Sequence, residues 1–191
     1  MLSLELLDQN ISECRAYVEA GKEDPTALEF LLKLREDLSH ASKDDWDAFN
    51  ELNEHLPDEN ADPVLIILKG QLLLERIVRK FIDSRLQNPS ALEKQQLTAA
   101  QSIALAESMC LPNDEPKWLW AQVRELNAIR NKLAHTLDSE NIDKRISNFI
   151  STVSNAQNLR SKSITTVVAR LYGMLKGLCD LSVSEGFRAN K

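Results

Sequence analysis

Twice in this chain an aspartate stands directly before a proline at the head of a run whose apolar residues recur every three or four positions. Asp24-Pro25 precedes "TALEFLLKLREDLSHA", and Asp62-Pro63 precedes "VLIILKGQLLLERIVRKFI". An aspartate carboxylate accepts the free amides of a helix's first turn, and proline's fixed φ suits the first helical position. This punctuation, with the 3.6-residue period behind it, commits the chain to helices. Leu4, Leu7, Ile11, Cys14 and Val18 carry the same period over residues 3 to 20, and Gly21 closes that run as a C-terminal cap. No segment alternates with period two for long enough to make a strand. The expected fold class is all-α: an antiparallel helical bundle joined by short loops, with extra N-terminal helices.

The remaining punctuation sets out the elements. Ser42 caps a short helix holding Trp46, Phe49 and Leu52, which stops near Pro57. "LPDENADP" is polar, has a proline at each end and is the expected linker. The helix from Pro63 to about Arg85 is the most apolar and is expected at the centre of the core. Residues 91 to 109 form one helix or a broken pair, with Thr98 as an internal cap. Residues 116 to 136 form another helix. Asp138 or Ser139 caps the next, which runs to about Leu159, and the last runs from about Ser163 to Val183. The expected domains are an N-terminal helical extension over 1–60, a bundle over 61–185 and a tail over 186–191.

Charge and cysteine usage narrow the function. A net charge of -6 in 191 residues disfavours a general binder of nucleic acid or anionic membrane, so any RNA contact needs a local basic patch. Cys14, Cys110 and Cys179 are widely spaced and form no zinc pattern. "MLSLELLDQN" lacks the basic-then-apolar layout of an export signal. Lys69 and Gln71 break the longest apolar stretch before it could span a bilayer. The expectation is a cytoplasmic protein with reduced cysteines.

One helix carries the candidate chemistry. Wound at about 100° per residue, residues 118 to 135 gather Leu119, Val123, Leu126, Ile129 and Leu133 into a core stripe. Arg130 falls at its border. A second stripe, roughly opposite, holds Arg124, Asn127, Asn131 and His135, with Asn131 and His135 one turn apart. Arg130 and His135 are about 140° apart around the axis, so a straight helix does not place them in one small site. If Arg130 is structural, it needs a carboxylate such as Glu75, and His135 is a polar residue at the negative end of the helix dipole. Trp118 and Trp120 point in two directions, one ring to the core and the other, expected to be Trp120, free for an interface or a base. "ERIVRK" is expected to be a solvated face, and His40 and His55 surface residues.

"RNKLAH", Arg130 to His135, resembles the signature of the HEPN superfamily: arginine, four to six residues, then histidine, usually with a polar residue directly after the arginine. The resemblance covers roughly residues 61 to 160. "REDLSH", Arg35 to His40, has the same outer spacing but Glu36 where the other has Asn131, so the motif with Asn after the arginine is met only at 130–135. The resemblance implies a dimerising helical bundle and a metal-independent endoribonuclease without cofactors, of a toxin or phage-defence kind. The two motifs would face each other across a dimer cleft. It makes Arg130, Asn131 and His135 the catalytic candidates, with Arg124, Asn127 and Lys132 as candidates for holding substrate. RNA supplies its own nucleophile in the 2′-hydroxyl. Histidine can move a proton near neutrality, and arginine can clamp a phosphate through two hydrogen bonds. The implied partners are a second copy, RNA, and an antitoxin or regulatory protein, with neither membrane nor DNA. Leu137 stands where some HEPN toxins carry a tyrosine that an antitoxin modifies. The mannitol operon repressor family is a similar helical family with a regulatory role. It supplies the alternative: a non-catalytic dimeric regulator or interaction module.

Overall fold

The caps read from the sequence form in space. In a computed structural model describing residues 4–22, 24–93, 95–110, 117–135, 139–159 and 163–189, every regular element is a helix. Along the chain these are α1 (Leu4–Glu19), α2 (Pro25–Ser39), α3 (Lys43–His55), α4 (Pro63–Arg85), α5 (Ser90–Glu93), α6 (Ala99–Met109), α7 (Lys117–His135), α8 (Ser139–Gln157) and α9 (Ile164–Ala189). None is long and apolar enough to cross a membrane. The chain divides into two compact units, Met1–Glu54 and His55–Lys191.

In the first unit α1 packs against α2. Gly21 has φ +66°, the left-handed conformation that costs glycine nothing. It lets the Lys22 amide reach back to the Tyr17 carbonyl at 2.9 Å and its own amide to Val18 at 3.0 Å, closing α1. Asp24 Oδ1 accepts the Thr26 amide at 2.9 Å at the head of α2. That bond holds its carboxyl below the usual range. Ser42 and Asp45 exchange bonds at the head of α3. Arg35, the arginine of "REDLSH", is tied to Asp8 of α1 at 2.9 Å, and His40 is exposed.

In the second unit α4 is the central element, packed on by α6, α7 and α9. Asp62 Oδ1 caps it by accepting the Val64 amide at 2.8 Å. Ile66, Ile67, Leu74 and Val78 are all fully buried. The approach of α4 to α9 depends on Gly70: a methyl there would stand 2.5 Å from Val168 Cγ1, and Val168 is itself fully buried. α7 also packs against α6, α8 and α9. Arg145 of α8 holds Glu125 of α7 with two bonds at 2.5 and 2.8 Å. Asn158 ends α8 with φ 51°, taking the left-handed role that Gly21 has after α1.

Several boundaries differ from the sequence reading. Residues 91 to 109 are the broken pair, α5 and α6, with Thr98 capping the second. α9 continues to Ala189, so residues 186–189, expected as tail, are helical. The linker 57–62 is mostly exposed and carries a turn in which Asp58 Oδ1 accepts the Asn60 amide at 2.8 Å. The division between the units falls at residue 54/55, ahead of the expected boundary at 60/61.

Candidate functional site

The motif helix α7 buries four of the five residues of its expected core stripe: Leu119, Val123, Leu126 and Ile129. Leu133 is half-buried. Two assignments from the helical wheel need correction. Trp120 is fully buried and Trp118 is the half-buried ring, so Trp120 is not free for an interface or a base. Asn127, expected on the stripe opposite the core, is 7% exposed. The reason is common to both. A wheel with one core stripe assumes one packing direction, whereas α4, α6, α8 and α9 surround α7.

Arg130 is half-buried, as its border position implies, and opens into a groove of about 500 Å³. The wall from α7 is Asn127, Arg130 and Asn131. Gln71, Leu72 and Glu75 of α4 form a second wall, and Thr98, Ala99 and Ala100 at the head of α6 a third. Arg130 Nη1 donates to Asn131 Oδ1 at 3.1 Å. Among the described residues it meets no carboxylate. Glu75, the carboxylate suggested for a structural role, instead meets Arg79: its Oε1 accepts from Arg79 Nε at 3.0 Å and Nη2 at 2.7 Å. At the groove floor Gln71 Nε2 donates to Asn127 Oδ1 at 3.3 Å, while Gln71 Oε1 is buried with no donor.

The other candidates fall in different places. His135 is the last residue of α7, and its side chain lies outside the described residues, as do Thr136, Leu137 and Asp138. Arg124 is exposed and forms an ion pair with Glu107 of α6, away from the groove. Lys132 is half-buried and does not line the groove. In "ERIVRK", Arg76, Arg79 and Lys80 are exposed as expected, and Arg79 also donates to the Leu97 carbonyl at 3.0 Å.

The structure therefore brings together Arg130, Asn131 and Asn127 from the candidate set. To these it adds Gln71, Glu75 and the head of α6. Gln71 left a signal in the sequence, as a polar residue inside the apolar run that becomes the core helix. Ala99 and Ala100 left none.

The described cysteines are free thiols. Burial pushes the Cys179 thiol far above its ordinary range, and the neighbouring Cys110 thiol adds to that. No family model, no curated protein and no solved structure matches this chain.

Proposed function

We propose that this chain is a metal-independent endoribonuclease of the HEPN kind, working as a homodimer in a toxin or phage-defence role. The observation that carries the reading is the state of Arg130. It lies half-buried in an open groove beside Asn131 and holds no carboxylate among the described residues. Nearby arginines are committed: Arg79 to Glu75, Arg124 to Glu107, Arg145 to Glu125. A partly desolvated guanidinium without an acidic partner is a ready hydrogen-bond donor to phosphate.

In the proposed reaction the 2′-hydroxyl oxygen of RNA attacks the adjacent phosphorus. The new O2′–P bond forms as the P–O5′ bond breaks, leaving a 2′,3′-cyclic phosphate and a 5′-hydroxyl. His135 takes the proton of the 2′-hydroxyl or supplies one to the departing 5′-oxygen, and a second copy provides the complementary group. Arg130 holds the phosphate and offsets the charge that builds on it. Asn131 orients the guanidinium through its 3.1 Å bond.

A second reading is a non-catalytic dimeric regulator or interaction module. Leu65 and Leu72 favour it. They lie two turns apart on α4, are 43% and 58% exposed, and Leu72 borders the groove.

The test is cleavage of mixed RNA by purified protein in EDTA, with product ends analysed. Arg130→Ala and His135→Ala should each abolish cutting while far-UV circular dichroism stays unchanged. Arg130→Ala should shift stability by no more than about 0.5 kcal/mol, since no ion pair among the described residues is lost. His40→Ala should cut like wild type. An inactive wild type, with Arg130→Ala lowering the melting temperature, favours the regulator.

A further inference from the structure

We infer that the head of α6 and Gln71 form a ribonucleotide subsite facing Arg130, in which two backbone amides take a phosphate and the Gln71 carboxamide takes the neighbouring sugar hydroxyl. The inference rests on the reading of Arg130 as the phosphate-holding residue, and it adds residues that the motif does not contain.

The first observation is which amides the α6 cap uses. Thr98 Oγ1 accepts the Gln101 amide at 3.3 Å, and Gln101 Oε1 accepts the Thr98 amide at 2.9 Å. This reciprocal pair satisfies those two donors. The amides of Ala99 and Ala100 have no acceptor among the described residues, and both residues line the groove that holds Arg130. α6 has 11 residues, enough for aligned peptide dipoles to place partial positive charge at this end. Amides and guanidinium thus offer donors from two walls of one groove. Among the described residues Glu75 is the one carboxylate lining it, and Arg79 donates two bonds to its Oε1.

The second observation is independent of the first. Gln71 is 2% exposed, lines the same groove, and its Oε1 has no donor. A buried carbonyl oxygen without a donor is costly. The one bond its carboxamide makes among the described residues is the 3.3 Å donation from Nε2 to Asn127 Oδ1. What it lacks is a hydrogen-bond donor, which a bare phosphate oxygen does not supply but a hydroxyl does. The site therefore asks for an anion with a hydroxyl beside it. A ribonucleotide 3′-phosphate has that arrangement, with the 2′-hydroxyl on the adjacent carbon, and its deoxy counterpart does not. A groove of about 500 Å³ has room for a nucleotide, more than a small hydroxy acid needs.

The variant that tests the amides is Ala99→Pro. Proline removes one donor, yet the first helical position tolerates it. Thr98, with φ -66° and ψ 157°, already has the backbone that a residue before proline requires. Calorimetric titration of the full chain with adenosine 3′-monophosphate should show binding by wild type. Binding should weaken about tenfold in Ala99→Pro and in Arg130→Ala, the scale of one lost charge-assisted hydrogen bond. 2′-Deoxyadenosine 3′-monophosphate should bind wild type several-fold more weakly, and Gln71→Leu should remove that preference. In wild type, inorganic phosphate should shift the Ala99 and Ala100 amide resonances, a measurement that stands even if Ala99→Pro fails to fold. Absence of binding by wild type, unchanged affinity in folded Ala99→Pro, or amide resonances that do not move would each overturn the subsite. Equal binding of ribose and deoxyribose forms would overturn the role of Gln71. Cleavage is a separate readout: binding with this pattern but no RNA cutting removes the endoribonuclease and keeps the subsite. Cutting with an unaffected Ala99→Pro does the reverse.

Discussion

Gly70→Ala puts a number on a close approach in the core. Taken alone, the change should stabilise α4, since alanine is better than glycine in a helix interior by about 1 kcal/mol. Here the new methyl would lie 2.5 Å from Val168 Cγ1 and 3.3 Å from Cγ2, against a carbon–carbon optimum of about 3.5–4.0 Å. Val168 cannot easily step aside. It is fully buried, and a β-branched side chain in a helix has one strongly preferred rotamer. Either α4 and α9 separate or Val168 leaves its rotamer, at about 1–3 kcal/mol for such overpacking. The net expectation is a loss of about 1 kcal/mol. Val168→Ala alone removes two buried methyl groups and should cost about 2 kcal/mol. In that background the Gly70→Ala methyl enters vacated space and should stabilise by about 1 kcal/mol. The effect thus changes sign, a coupling of about 2 kcal/mol. Urea unfolding read by tryptophan fluorescence measures it. A Trp46→Phe background leaves only Trp118 and Trp120, which lie in the same unit as Gly70, to report. Stabilisation by Gly70→Ala in the presence of Val168, or effects that add to within about 0.5 kcal/mol, would refute the close-approach argument.

Two further outcomes follow from the same packing. Arg145→Ala breaks a two-bond ion pair to Glu125 whose side chains are 36% and 32% exposed, so solvent screening limits the loss to about 1 kcal/mol; a change below about 0.3 kcal/mol in urea unfolding would mean the pair is unimportant. Alkylation followed by mass spectrometry should label half-buried Cys14 in the native protein and label Cys179 only after denaturation, because burial holds the Cys179 thiol protonated; equal labelling of both in the native protein would contradict that burial.

The sequence by itself determined the helices and where they begin. Asp24, Ser42, Asp62 and Thr98 cap them through bonds to residues two or three positions away, and Gly21 ends α1 through its own backbone freedom. Such interactions are local, so spacing and residue type reveal them. The border position of Arg130 was legible for the same reason, being a matter of helical angle. What the tertiary structure decided is how many sides of each helix are covered. α7 is packed by four neighbours, so Trp120 and Asn127 are buried where one core stripe would leave them free. Only the fold could show that Arg130 meets no carboxylate among the described residues, although Glu75 lines the same groove. Only the fold could bring the amides of Ala99 and Ala100 to a groove shared with an arginine some thirty residues further on. Those contacts depend on interhelical approach, set in part by a glycine where a methyl group would stand 2.5 Å from Val168 Cγ1, and no periodicity along one helix encodes that distance.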